Sequence, residues 1–184
     1  STSAWTAYER GERNFCGNEL ADGLRKNEKL PEPIITPSTK AAQGEHDESV
    51  APSELYKRGV IDPGLYKELA KISMRLYERG VSRAADQGLI FVDTKYEFGI
   101  SKGKIMLMDE VNTPDSSRYW IAEDYEKRFE KDEEPRKLDK EYVRTWLADK
   151  GFTGDGKPPK LTDKLRVEAS ARYMEVVEAF TGEP

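Results

Sequence analysis

The sequence predicts an α+β fold, an antiparallel sheet with flanking helices, and three observations carry that reading. An apolar stripe at helical spacing runs between residues 62 and 88. An apolar run, "LIFV", opens a segment of alternating character and is answered across "SKGK" by a second apolar stretch, "IMLMDEV". Two further stretches of helical periodicity lie toward the end of the chain. At 184 residues the chain is the size of one domain, with two smaller units also allowed.

The elements follow in order. Residues 14–55 hold Pro31, Pro33, Pro37 and Gly44. Proline fixes φ and disfavours helix in the residue before it, so this stretch reads as irregular backbone, an ordered binding loop anchored by Ile34 and Ile35. Leu65, Leu69, Ile72 and Leu76 recur at spacings of four and three, which predicts a helix over 62–88. Asp62 suits its N-cap and Pro63 its first position, with Gly80 an interruption and Gly88 the stop. A strand over 89–98, a turn and a second strand make a hairpin. The charged stretch 122–137 reads as a solvated linker or helix edge. Tyr142, Val143, Trp146 and Leu147 predict a helix over 139–149. Leu165, Ala169, Tyr173, Val176 and Phe180 predict another over 162–180.

Composition excludes some functions. With 30 Lys+Arg against 35 Asp+Glu the net charge is -5, which gives no basis for nucleic-acid binding by bulk charge. A local basic cluster can still take a small anionic metabolite. The single Cys16 cannot form an internal disulfide, so a cytoplasmic location is the expectation. No apolar run approaches the ~20 residues a membrane helix needs, and "STSAWTAYERG" lacks the pattern of a signal peptide. Because the chain opens without Met, we expect a piece cut from something longer, with processing of the N-terminus as the alternative.

The segment "VDTKYEFG" raises the chemical question. On a strand Asp93, Lys95 and Glu97 share one face, while Val92, Thr94, Tyr96 and Phe98 take the other. Lys95 can neutralise either acid. Asp93 and Glu97 stand ~13 Å apart, too far to ligate one ion, so a second carboxylate must come from the neighbouring strand. With residues 102–104 as a three-residue loop, Asp109 opposes Glu97; a two-residue loop would set Asp109 opposite Tyr96. The expected register opposes Glu97 and Asp109 directly or nearly so. Two carboxylates with substrate phosphates and water are a common magnesium arrangement. The plainer reading is an amphipathic hairpin with a solvated charged face.

Two short motifs bear on the choice. In "TPDSSR", Pro114 and Asp115 favour a tight turn, Ser116 and Ser117 offer hydroxyls, and Arg118 has a planar fork suited to phosphate or carboxylate. Alone it is a capped turn with a surface arginine. In "GEHDES" the only histidine, His46, stands beside Asp47, and one histidine without cysteine partners excludes a His-cluster metalloenzyme.

Taken together, "GLRKNEKLPEPIITPSTKAAQGEHDES", "LIFVDTKYEFGISKGKIMLMDEV" and "TPDSSRYW", in this order and spacing, resemble phosphoribosylaminoimidazole-succinocarboxamide synthase, the SAICAR synthetase family of purine biosynthesis. The resemblance runs from about Ser1 to the last helix. It implies a ligase that joins L-aspartate to carboxyaminoimidazole ribonucleotide, using ATP and Mg2+ and releasing ADP and phosphate, through an acyl phosphate that the aspartate amine attacks. Phosphoryl transfer relies on placed cations and metal-bound oxygens more than on a protein nucleophile. By resemblance Glu97 and Asp109 are the acids of the ATP and magnesium site, and Asp93 and Lys95 lie beside the reacting groups. Asp115, Ser117 and Arg118 belong to the ribonucleotide side, and Lys40, His46 and Asp47 to a loop that closes over substrates. Ser3 matches a serine near the ribonucleotide phosphate, although Thr2 stands where glycine is usual.

The resemblance further implies that residues 1–184 are the substrate- and metal-binding C-terminal part of such an enzyme, ATP-grasp-like in fold, without the strand-rich N-terminal lobe that grips ATP. On that reading these residues alone bind ATP poorly and do not turn over. Two other classes stand beside it: a non-catalytic nucleotide- or ion-sensing module on the same scaffold, and another ATP-dependent enzyme of kinase-like or carboxylate-amine ligase type.

Overall fold

A computed structural model describes residues 3–39, 47–152, 154 and 156–182. The chain divides into two compact units, Ser1–Arg75 and Leu76–Pro184.

The first unit holds α1 (Ala4–Glu9), the small antiparallel pairs β1 (Asn14–Phe15) with β2 (Asn18–Glu19) and β3 (Ser38–Thr39) with β4 (Glu48–Ser49), then α2 (Pro52–Lys57) and the start of α3 (Pro63–Ala85). Its buried residues are Ala7, Tyr8, Phe15, Val50 and Leu55. Side chains fix the irregular backbone between the pairs. The Tyr8 hydroxyl donates to Ala21 O at 3.0 Å and accepts from Leu24 N at 2.9 Å, and Asn18 Nδ2 donates to Ile35 O at 2.8 Å. Over its described residues, the proline-rich stretch is therefore ordered. Asp62 caps α3 as its sequence predicts, Oδ1 accepting from Gly64 N at 2.9 Å and Leu65 N at 3.0 Å.

The second unit contains the rest of α3, the strands β5 (Leu89–Thr94), β6 (Glu97–Ser101), β7 (Lys104–Met108) and β8 (Ser117–Ile121), and the helices α4 (Tyr125–Glu130), α5 (Glu141–Asp149) and α6 (Asp163–Thr181). Thr162 caps α6 through Oγ1, which accepts from Leu165 N at 3.2 Å, and Gly182 at φ 72 ends it. Leu89, Phe91, Tyr119, Leu138, Ala84 and Val176 form the buried cluster. Its aromatic rings run in a chain, Tyr77 to Phe91 at 5.5 Å, Phe91 to Tyr119 at 5.1 Å and Tyr119 to Phe180 at 5.8 Å. Gly80 does not interrupt α3. A Cβ there would lie 2.8 Å from Phe91 Cε1, so the missing side chain lets the helix pack against β5.

Two further expectations are corrected. The strand expected over 89–98 is two strands: β5 pairs antiparallel with β8, and β6 pairs with β7. The hairpin loop has two residues, Lys102 at φ 50 and Gly103 at φ 72, so Glu97 pairs with Met108 and not with Asp109. Both φ values are positive, as in the hairpin turns whose twist matches the strands. Of the two readings of 122–137, the helical one holds for Tyr125–Glu130, which is α4, and the end of the stretch adds to the ladder. Ile121 N donates to Arg136 O at 3.0 Å and Leu138 N to Tyr119 O at 2.9 Å.

Within β5 the alternation changes phase. Phe91 pairs with Tyr119, but Asp93 pairs with Arg118, so β5 carries one more residue than β8 between those two pairs, a β-bulge at Val92. Leu89 and Phe91 are buried; after the bulge it is Thr94 that meets the inner face, its Oγ1 accepting from the buried Ser117 Oγ at 2.9 Å. Without the extra residue Asp93 would follow Leu89 and Phe91 into the core. The Tyr77 hydroxyl of α3 donates toward the bulge carbonyls, Phe91 O at 3.3 Å and Val92 O at 3.1 Å.

Candidate functional site

The bulge puts Asp93 on the outer face of the β5–β8 ladder directly across from Arg118, and the two side chains form an ion pair. Arg118 also lies 3.5 Å from Glu141 Oε1, at the start of α5. Burial works against the guanidinium charge, but Asp93, Glu141 and Asp139 outweigh it and hold Arg118 above its ordinary value. Two of its N–H groups face carboxylates, leaving further donors of the five for an incoming anion.

The turn before β8 is built from hydroxyls. Ser117 N donates to Thr113 O at 2.9 Å and Ser116 N to Thr113 Oγ1 at 3.3 Å, while the Ser116 and Ser117 hydroxyls are 3.2 Å apart. Asp115 at this turn lies 3.7 Å from Lys140 Nζ, beside α5. Lys95 N donates to Ser116 O at 3.2 Å, which carries the ladder past Thr94 to the gap before β6. Across that gap Lys95 Nζ pairs with Glu97 Oε1 at 2.7 Å. The neutralisation expected from the sequence thus occurs, by way of a break between strands and not along one flat face.

Asp109 follows the last residue of β7, exposed, at φ 63. It stands one position beyond the Glu97–Met108 pair. No group of three or more His, Cys, Asp or Glu able to hold a metal occurs among the described residues. Both carboxylates offer only oxygen, the donor a hard cation takes, with Glu97 engaged by Lys95 and Asp109 one position past the residue that pairs with Glu97.

In the first unit Ser3 is the N-cap of α1, Oγ accepting from Thr6 N at 3.5 Å. Asp47 adjoins β4 and is half-buried. Lys40 and His46 lie outside the described residues.

Sequence reasoning missed Asp139, Lys140 and Glu141. Burial pushes the Asp139 carboxyl up, against the N–H bonds from Glu141 and Tyr119. Burial acts likewise on Glu141, but the Arg144 hydrogen bond and the Arg118 charge prevail and hold it below its usual range. The available signal was the pattern "KLDKE": an apolar residue and then an acid just ahead of a helix, where an acid caps. The surrounding charge masked it.

The family model "SAICAR synthetase" matches residues 5–160. Phosphoribosylaminoimidazole-succinocarboxamide synthase of Bacteroides thetaiotaomicron is 51% identical over 183 residues, covering 98% of this chain and 58% of that protein. A solved structure described as SAICAR-synthase from Saccharomyces cerevisiae complexed with SAICAR superposes with a TM-score of 0.77 at 31% identity, over 98% of this chain and 56% of that one. A SAICAR synthetase in complex with ADP superposes with a TM-score of 0.64 at 30% identity, over 87% of this chain and 55% of that one. The chain therefore spans less than two thirds of the length of the relatives it matches. These likenesses agree with the α+β class and lead to one conclusion: the chain belongs to the SAICAR synthetase family.

Proposed function

We propose that these residues form the substrate- and metal-binding part of an ATP-dependent carbon-nitrogen ligase that joins L-aspartate to carboxyaminoimidazole ribonucleotide, giving SAICAR, ADP and phosphate. Family membership supports the reaction. The observation that carries the site is the grouping at the end of the β5–β8 ladder, where Arg118 is held by Asp93 and Glu141 and Lys95 by Glu97.

Arg118 grips an anionic group of the ribonucleotide in a bidentate manner, and the Ser117 and Asp115 turn orients it. Ser3, Lys40, His46 and Asp47 are the further residues we assign to substrate binding. Lys95 sets a positive charge where phosphoryl charge spreads. Asp93 is the candidate acceptor for the proton of the aspartate amine. Glu97 and Asp109 would hold Mg2+, which supplies charge neutralisation at the ATP phosphates when bound. No helix among the described residues is long and apolar enough to cross a membrane; we place the reaction in the cytoplasm, with small molecules as the partners and no nucleic acid or membrane.

The test is an assay of the full-length parent with ATP, aspartate and the aminoimidazole carboxylate, in which ADP release requires both co-substrates. ADP release without either one removes the ligase reading. Glu97→Gln should lower kcat/KM by about a hundredfold or more with folding nearly intact. An unchanged rate removes Glu97 from the metal site.

A further inference from the structure

The buried polar side chains among the described residues are Ser117 and Asp139, and only Asp139, at 1% exposure, can carry a charge. Both its oxygens are engaged by backbone. Oδ2 accepts from Tyr119 N at 3.1 Å, inside β8, and Oδ1 accepts from Glu141 N at 2.8 Å, in the first turn of α5. One carboxylate therefore fastens a strand to a helix at the residues adjoining Arg118: Tyr119 follows it in the chain, and Glu141 lies 3.5 Å from its guanidinium.

A buried acid is costly unless its lone pairs are met. A capping residue alone could sit at the surface, so burial of a carboxylate with its two N–H donors on different elements calls for another reason. The bracket around Arg118 supplies one, since Asp93 arrives from β5 and Glu141 from α5, and their spacing is fixed only if α5 keeps its place on β8. The Asp139 charge also favours the Arg118 cation directly.

We infer that Asp139 is a positioning residue for Arg118, binding α5 to β8 so that Asp93 and Glu141 hold the guanidinium aimed at the substrate anion. This rests on the reading of Arg118 given under Proposed function. Asparagine at 139 keeps the size but has one acceptor oxygen, so its NH2 group must face one of the two N–H donors.

The experiment is steady-state kinetics of the full-length enzyme bearing Asp139→Asn, Arg118→Lys, or both. Asp139→Asn should raise KM for the ribonucleotide about tenfold while KM for ATP stays within about twofold. In the Arg118→Lys background it should add little, because the guanidinium it positions is gone. Equal KM changes for all substrates, or full additivity in the double variant, would overturn the assignment and leave Asp139 a purely structural tie. If Arg118→Lys alone leaves the ribonucleotide KM unchanged, the reading of Arg118 fails, and the inference falls with it for a separately visible reason. Should Asp139→Asn fail to fold, Glu141→Gln keeps the backbone link and removes only the charge beside Arg118. A selective rise in the same KM then supports the bracket, and no change overturns it.

Discussion

The β5–β8 ladder and the β6–β7 hairpin are both antiparallel pairs joined at five residue pairs, yet they differ in what sets their register. The first buries Leu89, Phe91, Tyr119 and Trp120. The second exposes Ile100 at 64%, Met106 at 49%, Leu107 at 37% and Met108 at 45%. A slip of one residue in the first ladder would turn aromatic rings to water and charges inward, whereas in the second it would exchange one exposed set for another. Buried side chains specify the first; the Lys102–Gly103 turn specifies the second.

The largest expected effect breaks the comparison at its buried side. Phe91→Ala should cost about 3–5 kcal/mol in a urea titration, from lost burial and the cavity left among Tyr77, Tyr119 and Gly80. A loss of the size seen at a surface site would mean that the ladder is not held by its aromatic chain. Next comes Gly80→Ala. Alanine favours helix, but its Cβ would press on Phe91 Cε1 at 2.8 Å, for a net destabilisation of about 1–2 kcal/mol. Increased stability would show that α3 and β5 have room to part. Tyr77→Phe removes the hydroxyl that meets the bulge carbonyls and should cost about 1 kcal/mol, with faster amide exchange at Thr94 and Lys95 as its signature. Ile100→Ala, on the exposed hairpin, should stay within about 0.5 kcal/mol; a larger loss would mean that this face is covered.

Legibility followed the same division. Asp62 and Pro63 place the start of α3, because an N-cap is local chemistry, although the helix ends at Ala85, before the expected stop at Gly88; the apolar residues from Leu165 to Phe180 place α6, whose caps Thr162 and Gly182 emerge from the structure. The strand "LIFV" was equally plain. The bulge after it was not, since nothing in "FVDT" marks an extra residue; it follows from Tyr77 and Tyr119, which come from elsewhere in the chain. The hairpin register escaped because two- and three-residue loops both accommodate Gly103, and no buried face chose between them. At the site, Asp93, Lys95, Glu97 and Arg118 were named from the sequence, but their pairings depend on the bulge and on α5. Asp139 and Glu141 open the helix expected over 139–149, but their contacts with Tyr119 and Arg118 join residues far apart in the chain and leave no local mark.

The additional residue at Val92 acts like a shift of reading frame within a strand. Upstream of it odd numbers look inward; downstream the parity is reversed, and Asp93 escapes the interior. Any homologue superposed one step out at this point would set a hydrocarbon where the acid belongs. Comparison of the residues around Asp93 across family members is therefore meaningful only after the insertion itself has been matched.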